Sequence, residues 1–278
     1  MKQRIISAVV MIAIVLTCML ASDISRVLLF VVCAIIACHE MKNALSKLDC
    51  NVRIWSVYLA VFGTCAAVLL DVRKVGGYAF PAFLILMLAV FSEMVITGKY
   101  TVRDVFATFG VYVYPLAPLM LVTYISLATR TIDGSKVDIW PAIFINSILP
   151  CVVSDTFALF GGKAFGRHKL SPKISPKKTV EGLICGVVMG TASGILAHFI
   201  LVWTNLDLSP IPLWAKVIAA FVASLSGAIG DLAASSIKRA AGIKDYSNLI
   251  PGHGGIMDRI DSELFAIPLV YMIYAMFI

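Results

Sequence analysis

An all-α polytopic membrane protein is the fold class this sequence predicts, and three observations carry the prediction. Apolar runs of about twenty residues recur along the chain, the length that crosses roughly 30 Å of hydrocarbon at about 1.5 Å per residue. Hydrophobic residues make up 60% of the 278 and charged ones 14%, with a mean hydropathy of +0.94, more apolar surface than a soluble domain can hide. Lys and Arg also divide unevenly between alternate connections, as the positive-inside rule requires.

The runs predict about nine transmembrane helices, near 5–22, 25–45, 54–71, 77–97, 105–129, 139–161, 182–203, 211–236 and 263–278, the third and ninth short. The first is read as a retained span: its apolar run is too long for a signal peptide and shows no clear small-residue cleavage site. Nine spans put the termini on opposite faces. With the amino terminus cytoplasmic, 17 of the 23 Lys and Arg lie inside, and Arg26, Arg73, Lys74, Arg130, Lys136 and Lys216 lie outside. The net charge of +7 then reflects this asymmetry and anionic headgroups, with no nucleic-acid partner implied. Seven Cys without CxxC or Cys/His spacing read as small buried apolar residues.

Residues 1–130 form an amino-terminal set of helices poor in chemistry. His39 and Glu40, late in the second run, read as a helix end near the headgroups in preference to a functional pair. The Tyr and Pro of VYVYPLAPLM, with Pro115 and Pro118, predict a kinked helix. Residues 131–278 change character and carry the candidate site. Asp155 stands within the sixth run, where an unpaired carboxylate costs about 2.5–3.5 kcal/mol on insertion scales. It reads as a functional group or as a partner of a basic residue such as Lys163. The following loop, GGKAFGRHKLSPKISPKKTVEG over 161–182, predicts a helix start with Ser175 as N-cap and Pro176 first. Lys169, Lys173, Lys177 and Lys178 around that start make an anion site or, more plainly, a basic flank to a span.

The densest chemistry runs from Ser226 to Glu263. Asp231, Ser235 and Lys238 at i, i+4 and i+7 share one helix face, with Ser236 and Arg239 just around the cylinder. Gly242 is a plausible stop. Asp258 and Asp261 share a face if their segment is helical. Carboxylates from separate segments are the hard-oxygen ligands that Mg²⁺ takes alongside waters and phosphates. Between them Pro251-Gly252-His253-Gly254-Gly255 has the glycines that let backbone N–H groups turn towards phosphate oxygens. His253 fits phosphate binding, proton transfer or a backbone hydrogen bond equally.

The ordered blocks Ser235-Ser236-Ile237-Lys238-Arg239, Lys244-Asp245, Pro251-Gly252-His253-Gly254-Gly255 and Asp258-Arg259-Ile260-Asp261 resemble the signature of the phosphatidate cytidylyltransferase (CDP-diacylglycerol synthase) family. Asp155-Thr156, Phe165 to Leu170 and Ile174 to Gly182 are similar to that family's upstream block, so the resemblance covers roughly 150–263. It implies a nucleotidyltransferase of phospholipid biosynthesis that joins CTP to phosphatidic acid, releasing pyrophosphate and CDP-diacylglycerol. It further implies Mg²⁺, a second, monovalent cation such as K⁺, a homodimer, and a site open to the cytoplasm from the inner membrane. Residue by residue, Asp231 and Asp258 carry over as metal ligands, Asp261 and Asp155 as weaker ones. Ser235, Ser236, Lys238, Arg239 and Arg259 carry over as substrate or phosphate contacts, beside Lys169, Lys177, Lys178, His253, Gly254 and Gly255. Asp231, Asp258 and Lys238 are the expected catalytic set.

Elementary chemistry agrees. A phosphate monoester is largely ionised at pH 7, so the reaction needs charge neutralisation and alignment more than a strong base. A CTP-dependent lipid kinase is the nearest rival. A CDP-alcohol phosphotransferase is disfavoured because GDLAAS stands where its DGxxAR opening would be. An ion-coupled transporter is the alternative from another class.

Overall fold

The computed structural model describes residues 2–127, 129–132, 135–204 and 211–277, without the side chains of 2–5, 20, 67–81, 130–132 and 135–137. The side chains of Lys2, Arg4, Arg73, Lys74, Arg130 and Lys136, which carry part of the charge asymmetry, lie outside the described residues. The chain is a helical integral membrane protein. Among the described residues five helices are long and apolar enough to cross a bilayer: Asp23–Ser46, Val102–Ile125, Trp140–Phe165, Val180–Trp203 and Leu213–Ala240. Two compact units divide the chain, Met1–Leu127 with Ile237–Arg259, and Ala128–Ser236 with Ile260–Ile278.

The first unit holds α1 (Lys2–Ala21), α2 (Asp23–Ser46), α3 (Ile54–Thr97), α4 (Val102–Val111) and α5 (Ala117–Ile125). A Ser22–Ser25 capping box starts α2, answering two of the N–H groups that a helix start leaves bare. Its buried residues Val27, Val31, Ala34, Cys38 and Met41 recur at three or four positions, so one stripe of α2 faces its neighbours. Glu40 lies buried beside that stripe. The two spans expected over 54–71 and 77–97 occupy one continuous helix, α3, whose apolar stretches are Ile54–Ala66 and Ala82–Thr97. At 44 residues it is about 66 Å long, twice a hydrocarbon core. The expected kink is present: a π-turn at Tyr112–Leu116, with Tyr114 out of helical geometry before Pro115, separates α4 from α5, as proline's lost N–H and ring clash require.

The second unit is built on α6 (Trp140–Phe165) and α7 (Val180–Trp203), with α8 (Leu213–Ala240) up to Ser236 and α10 (Glu263–Ala275). Along α7 a glycine recurs every fourth residue, at Gly182, Gly186, Gly190 and Gly194. A Cβ on Gly182 would stand 2.7 Å from the Ala158 carbonyl oxygen, and one on Gly186 2.6 Å from that of Ser154. The two helices therefore touch main chain to main chain, the packing that small residues permit in lipid. Phe157, Phe160, Ile184 and Val188 are left exposed, as expected of surface that meets acyl chains. Two short antiparallel hairpins interrupt the helical scheme, β1 (Thr129–Ile132) with β2 (Ser135–Asp138), and β3 (Lys169–Ser171) with β4 (Ser175–Thr179).

The second hairpin corrects the expected helix start. Ser175 and Pro176 lie in β4, and the N-cap of α7 is Thr179, whose hydroxyl accepts from Gly182 N at 3.1 Å. Proline's fixed φ suits a short two-stranded edge as well as a first helical turn, and Thr179 supplies the cap four residues later. At the carboxy end the ninth expected span is the 13-residue α10, shorter than a perpendicular crossing needs.

Candidate functional site

In the second unit a cavity of about 520 Å³ opens between α6, α7, α8 and the β3–β4 hairpin. Helix α6 contributes Asp155 and Lys163, the hairpin Lys169, Lys177 and Lys178, and α8 Asp231. Leu159, Leu170 and Leu183 complete the wall. Four lysines and two aspartates thus line one space, with Ser154 and Thr179 the other polar side chains on its wall. The hairpin holds its lysines there because Glu181, in the first turn of α7, accepts from Arg167 N at 3.0 Å and His168 N at 3.2 Å, and contacts His168 Nδ1 at 2.6 Å. Lys173 is exposed on the connecting turn and does not line the cavity.

Asp231 Oδ2 pairs with Lys178 Nζ at 2.5 Å, with 31% and 29% of the two side chains exposed. Its Oδ1 accepts from Ser235 at 3.3 Å, so the i, i+4 face read from the sequence is real. Asp155 lies within electrostatic reach of Lys178 and Asp231, and Lys163 lines the same cavity. Ser236 bonds back to the Leu232 carbonyl at 2.8 Å. Asp261 presses its carbonyl against Gly230, where a Cβ would stand 2.4 Å away, and its Oδ1 accepts from Ser262 N at 2.8 Å.

The remaining signature residues belong to the first unit. Gly242, at φ +67°, ends α8 with Ile243 N bonded to the Lys238 carbonyl at 2.9 Å, the left-handed stop that glycine makes without strain. The Arg239 guanidinium donates to the Ile243 carbonyl at 3.0 Å. Lys238 Nζ pairs with Asp258 Oδ1 at 2.7 Å, the two side chains only 10% and 2% exposed. Asp258 Oδ2 accepts from Tyr246 N at 2.8 Å and Gly255 N at 3.0 Å. His253 Nδ1 lies 2.8 Å from the Ser7 hydroxyl, and Arg259 is exposed. A short helix, α9 (Met257–Ile260), carries Asp258 and ends one residue before Asp261, so the pair straddles the helix end.

The glycine loop also departs from expectation. His253 N and Gly254 N both donate to the Ile250 carbonyl, at 2.9 and 3.1 Å, and Gly255 N goes to Asp258. These amides serve the protein's own acceptors, because a buried carboxylate must find donors and the loop amides are the nearest. Glu40, favoured from the sequence as part of a helix end near the headgroups, has a larger part in this loop. It accepts from Ser247 Oγ at 2.6 Å, Ile256 N at 3.1 Å and Met257 N at 2.8 Å. Its one visible signal is a carboxylate on an apolar helix beside Ala37 and Met41.

The donor chemistry suits Mg²⁺. Among the described residues no three His, Cys, Asp or Glu side chains form a cage, but Mg²⁺ commonly takes one or two carboxylates and leaves the rest to water and substrate. The Lys178 ammonium against Asp231, beside Asp155, marks a place where a cation is already favoured.

The sequence profile of the cytidylyltransferase family matches residues 2–277. The chain belongs to that family. Among family members it is similar to a phosphatidate cytidylyltransferase of Bacillus subtilis, 36% identical over 132 residues covering 46% of each chain. It is similar also to the chloroplastic phosphatidate cytidylyltransferase 4 of Arabidopsis thaliana, 48% identical over 125 residues (43% of this chain, 29% of that one). A phosphatidate cytidylyltransferase of Haemophilus influenzae is 40% identical over 127 residues, 44% of this chain and 41% of the relative. The chain thus spans less than half the length of each of these relatives in the matched stretch.

Proposed function

We propose that this protein transfers the cytidylyl group of CTP to phosphatidic acid, giving CDP-diacylglycerol and pyrophosphate. The observation that carries the reading is the cavity where Lys163, Lys169, Lys177 and Lys178 face Asp155 and Asp231. The names of the relatives point the same way. The nucleophile is an oxygen of the lipid phosphate monoester, which attacks the α-phosphorus of CTP as pyrophosphate departs. The lysines neutralise and align two anions that otherwise repel. Lys178 releases Asp231 as it takes up phosphate, a cheap exchange for a pair this exposed. Leu159, Leu170 and Leu183 offer the glycerol and upper acyl carbons an apolar wall. Asp231 and Asp155 would hold Mg²⁺ in this cavity; Asp258 and Asp261 stand as metal-ligand candidates on the sequence signature alone. Bound there, the ion supplies Lewis-acid stabilisation of charge on the leaving phosphates.

The Lys and Arg gathered in 163–178 and 238–259 support a site that faces the cytoplasm from the inner membrane; nine spans with a cytoplasmic amino terminus would further require α3 to supply two crossings. A homodimer and a second, monovalent cation rest on the family resemblance alone. The test is a detergent assay with α-labelled CTP, phosphatidic acid and diacylglycerol, with and without Mg²⁺. The expected outcome is Mg²⁺-dependent label in CDP-diacylglycerol with release of pyrophosphate. Labelled CDP as the product, with phosphate passed to an alcohol, overturns the reading in favour of a lipid kinase.

A further inference from the structure

We infer that Glu40 is a positioning residue: from α2 it fixes the loop that sets Asp258, the partner of Lys238. This inference rests on the reaction proposed above. Glu40 is 3% exposed towards the end of α2, and its partners lie more than two hundred residues away in sequence. Oε1 accepts from Ser247 Oγ and Ile256 N, and Oε2 from Met257 N. Asp258 accepts from Tyr246 N and Gly255 N.

Two carboxylates therefore tie the same two stretches together side by side. Asp258 joins 246 to 255, and Glu40 joins 247 to 256 and 257. The glycines make room for both acids. A Cβ on Gly254 would stand 2.8 Å from Asp258 Oδ2, and one on Gly255 2.3 Å from Glu40 Oε1. Ile256 and Met257 immediately precede Asp258, so releasing their amides frees the backbone that aims its carboxylate. Glu40 makes no direct claim on substrate; it acts through Asp258. This gives α2 a task in holding the signature loop, which its composition did not disclose.

Full-length protein in detergent, as wild type, Glu40→Gln, Glu40→Asp and Ser247→Ala, tests the inference by two readouts. Hydrogen exchange should rise at the amides of 255–257 in Glu40→Gln while the rest of the protein keeps its protection. The same variant should lose about 10- to 100-fold in kcat, as removal of an outer-shell partner does. Its KM for CTP should stay within about twofold, the pattern of an interaction felt in the reaction step. The Mg²⁺ concentration giving half-maximal rate should rise, and Glu40→Asp should recover part of the kcat. A merely structural role lowers the active fraction and leaves that Mg²⁺ concentration unmoved; that result, or wild-type kcat in Glu40→Gln, overturns the inference. Should Glu40→Gln fail to fold, Ser247→Ala removes one donor and no charge, and unchanged exchange with unchanged Mg²⁺ dependence overturns it equally. A wild type that makes no CDP-diacylglycerol sinks the reaction instead, and exchange at 255–257 alone then judges the hold of Glu40 on the loop.

Discussion

Two Lys–Asp pairs with nearly equal spacing sit in this protein under different conditions. Lys178–Asp231, at 2.5 Å, borders the cavity of the second unit with close to a third of each side chain exposed. Lys238–Asp258, at 2.7 Å, is sealed within the first unit, its carboxylate 2% exposed and further bound by two backbone amides. Water reaches the first pair and weakens it to about 0–1 kcal/mol. The second has little water to return to, so removing one partner costs about 3–5 kcal/mol. A contact that opens cheaply suits a group that must exchange its lysine for phosphate or metal. One that opens at high cost suits a group whose position has to be kept.

The strongest way to break this comparison is Asp258→Asn, which strands the Lys238 ammonium. Thermal unfolding in detergent should show a loss of about 3–5 kcal/mol in a protein that still folds, with CDP-diacylglycerol formation abolished. Adding Lys238→Met should return most of the stability and none of the activity. An Asp258→Asn protein as stable as wild type would remove the buried half of the contrast. Asp231→Asn probes the other half: stability should move by less than about 1 kcal/mol, while the rate falls about 10²–10³-fold, as for loss of a group that organises developing charge. A large loss of stability there, or near-normal turnover, would merge the two pairs into one kind. The smallest effect is expected from Lys178→Met, with KM for CTP up about tenfold, the order of one charged hydrogen bond. That difference should shrink at about 1 M salt, where screening acts within roughly 3 Å, and a salt-independent KM would argue against an exposed phosphate contact.

Much of this was legible beforehand because it is local. The apolar runs that became α2, α6, α7 and α8 needed only length and composition, and Gly242 needed only its place after Lys238 and Arg239. The Ser235–Asp231 contact follows from helical spacing, and the lysines of 161–182 from charge in a glycine- and proline-punctuated loop. What stayed hidden depends on distant chain. Nothing near Glu40 announces that its donors are Ser247, Ile256 and Met257. The loop glycines carry the same signature whether they admit a phosphate or a carboxylate of the protein itself. Thr179 and Ser175 are both competent caps, and the pairing of β3 with β4 decided between them. The merger of the third and fourth expected spans into α3 could not be read either, since a break between apolar runs looks the same in sequence as a continuous helix with a polar middle.

The glycines of α7 have one further consequence. Gly182, Gly186 and Gly190 meet the Ala158, Ser154 and Pro150 carbonyls of α6 about every 6 Å along the axis, like teeth cut to one pitch, while Gly194 faces α8. Shifting α7 along α6 by a single residue would drive a side chain such as Leu183 or Val187 onto a carbonyl that now faces bare backbone. The pair is thereby indexed: it can hold its present register or jump a whole tooth, but it cannot creep, and the floor under Asp155 and Lys163 inherits that stiffness.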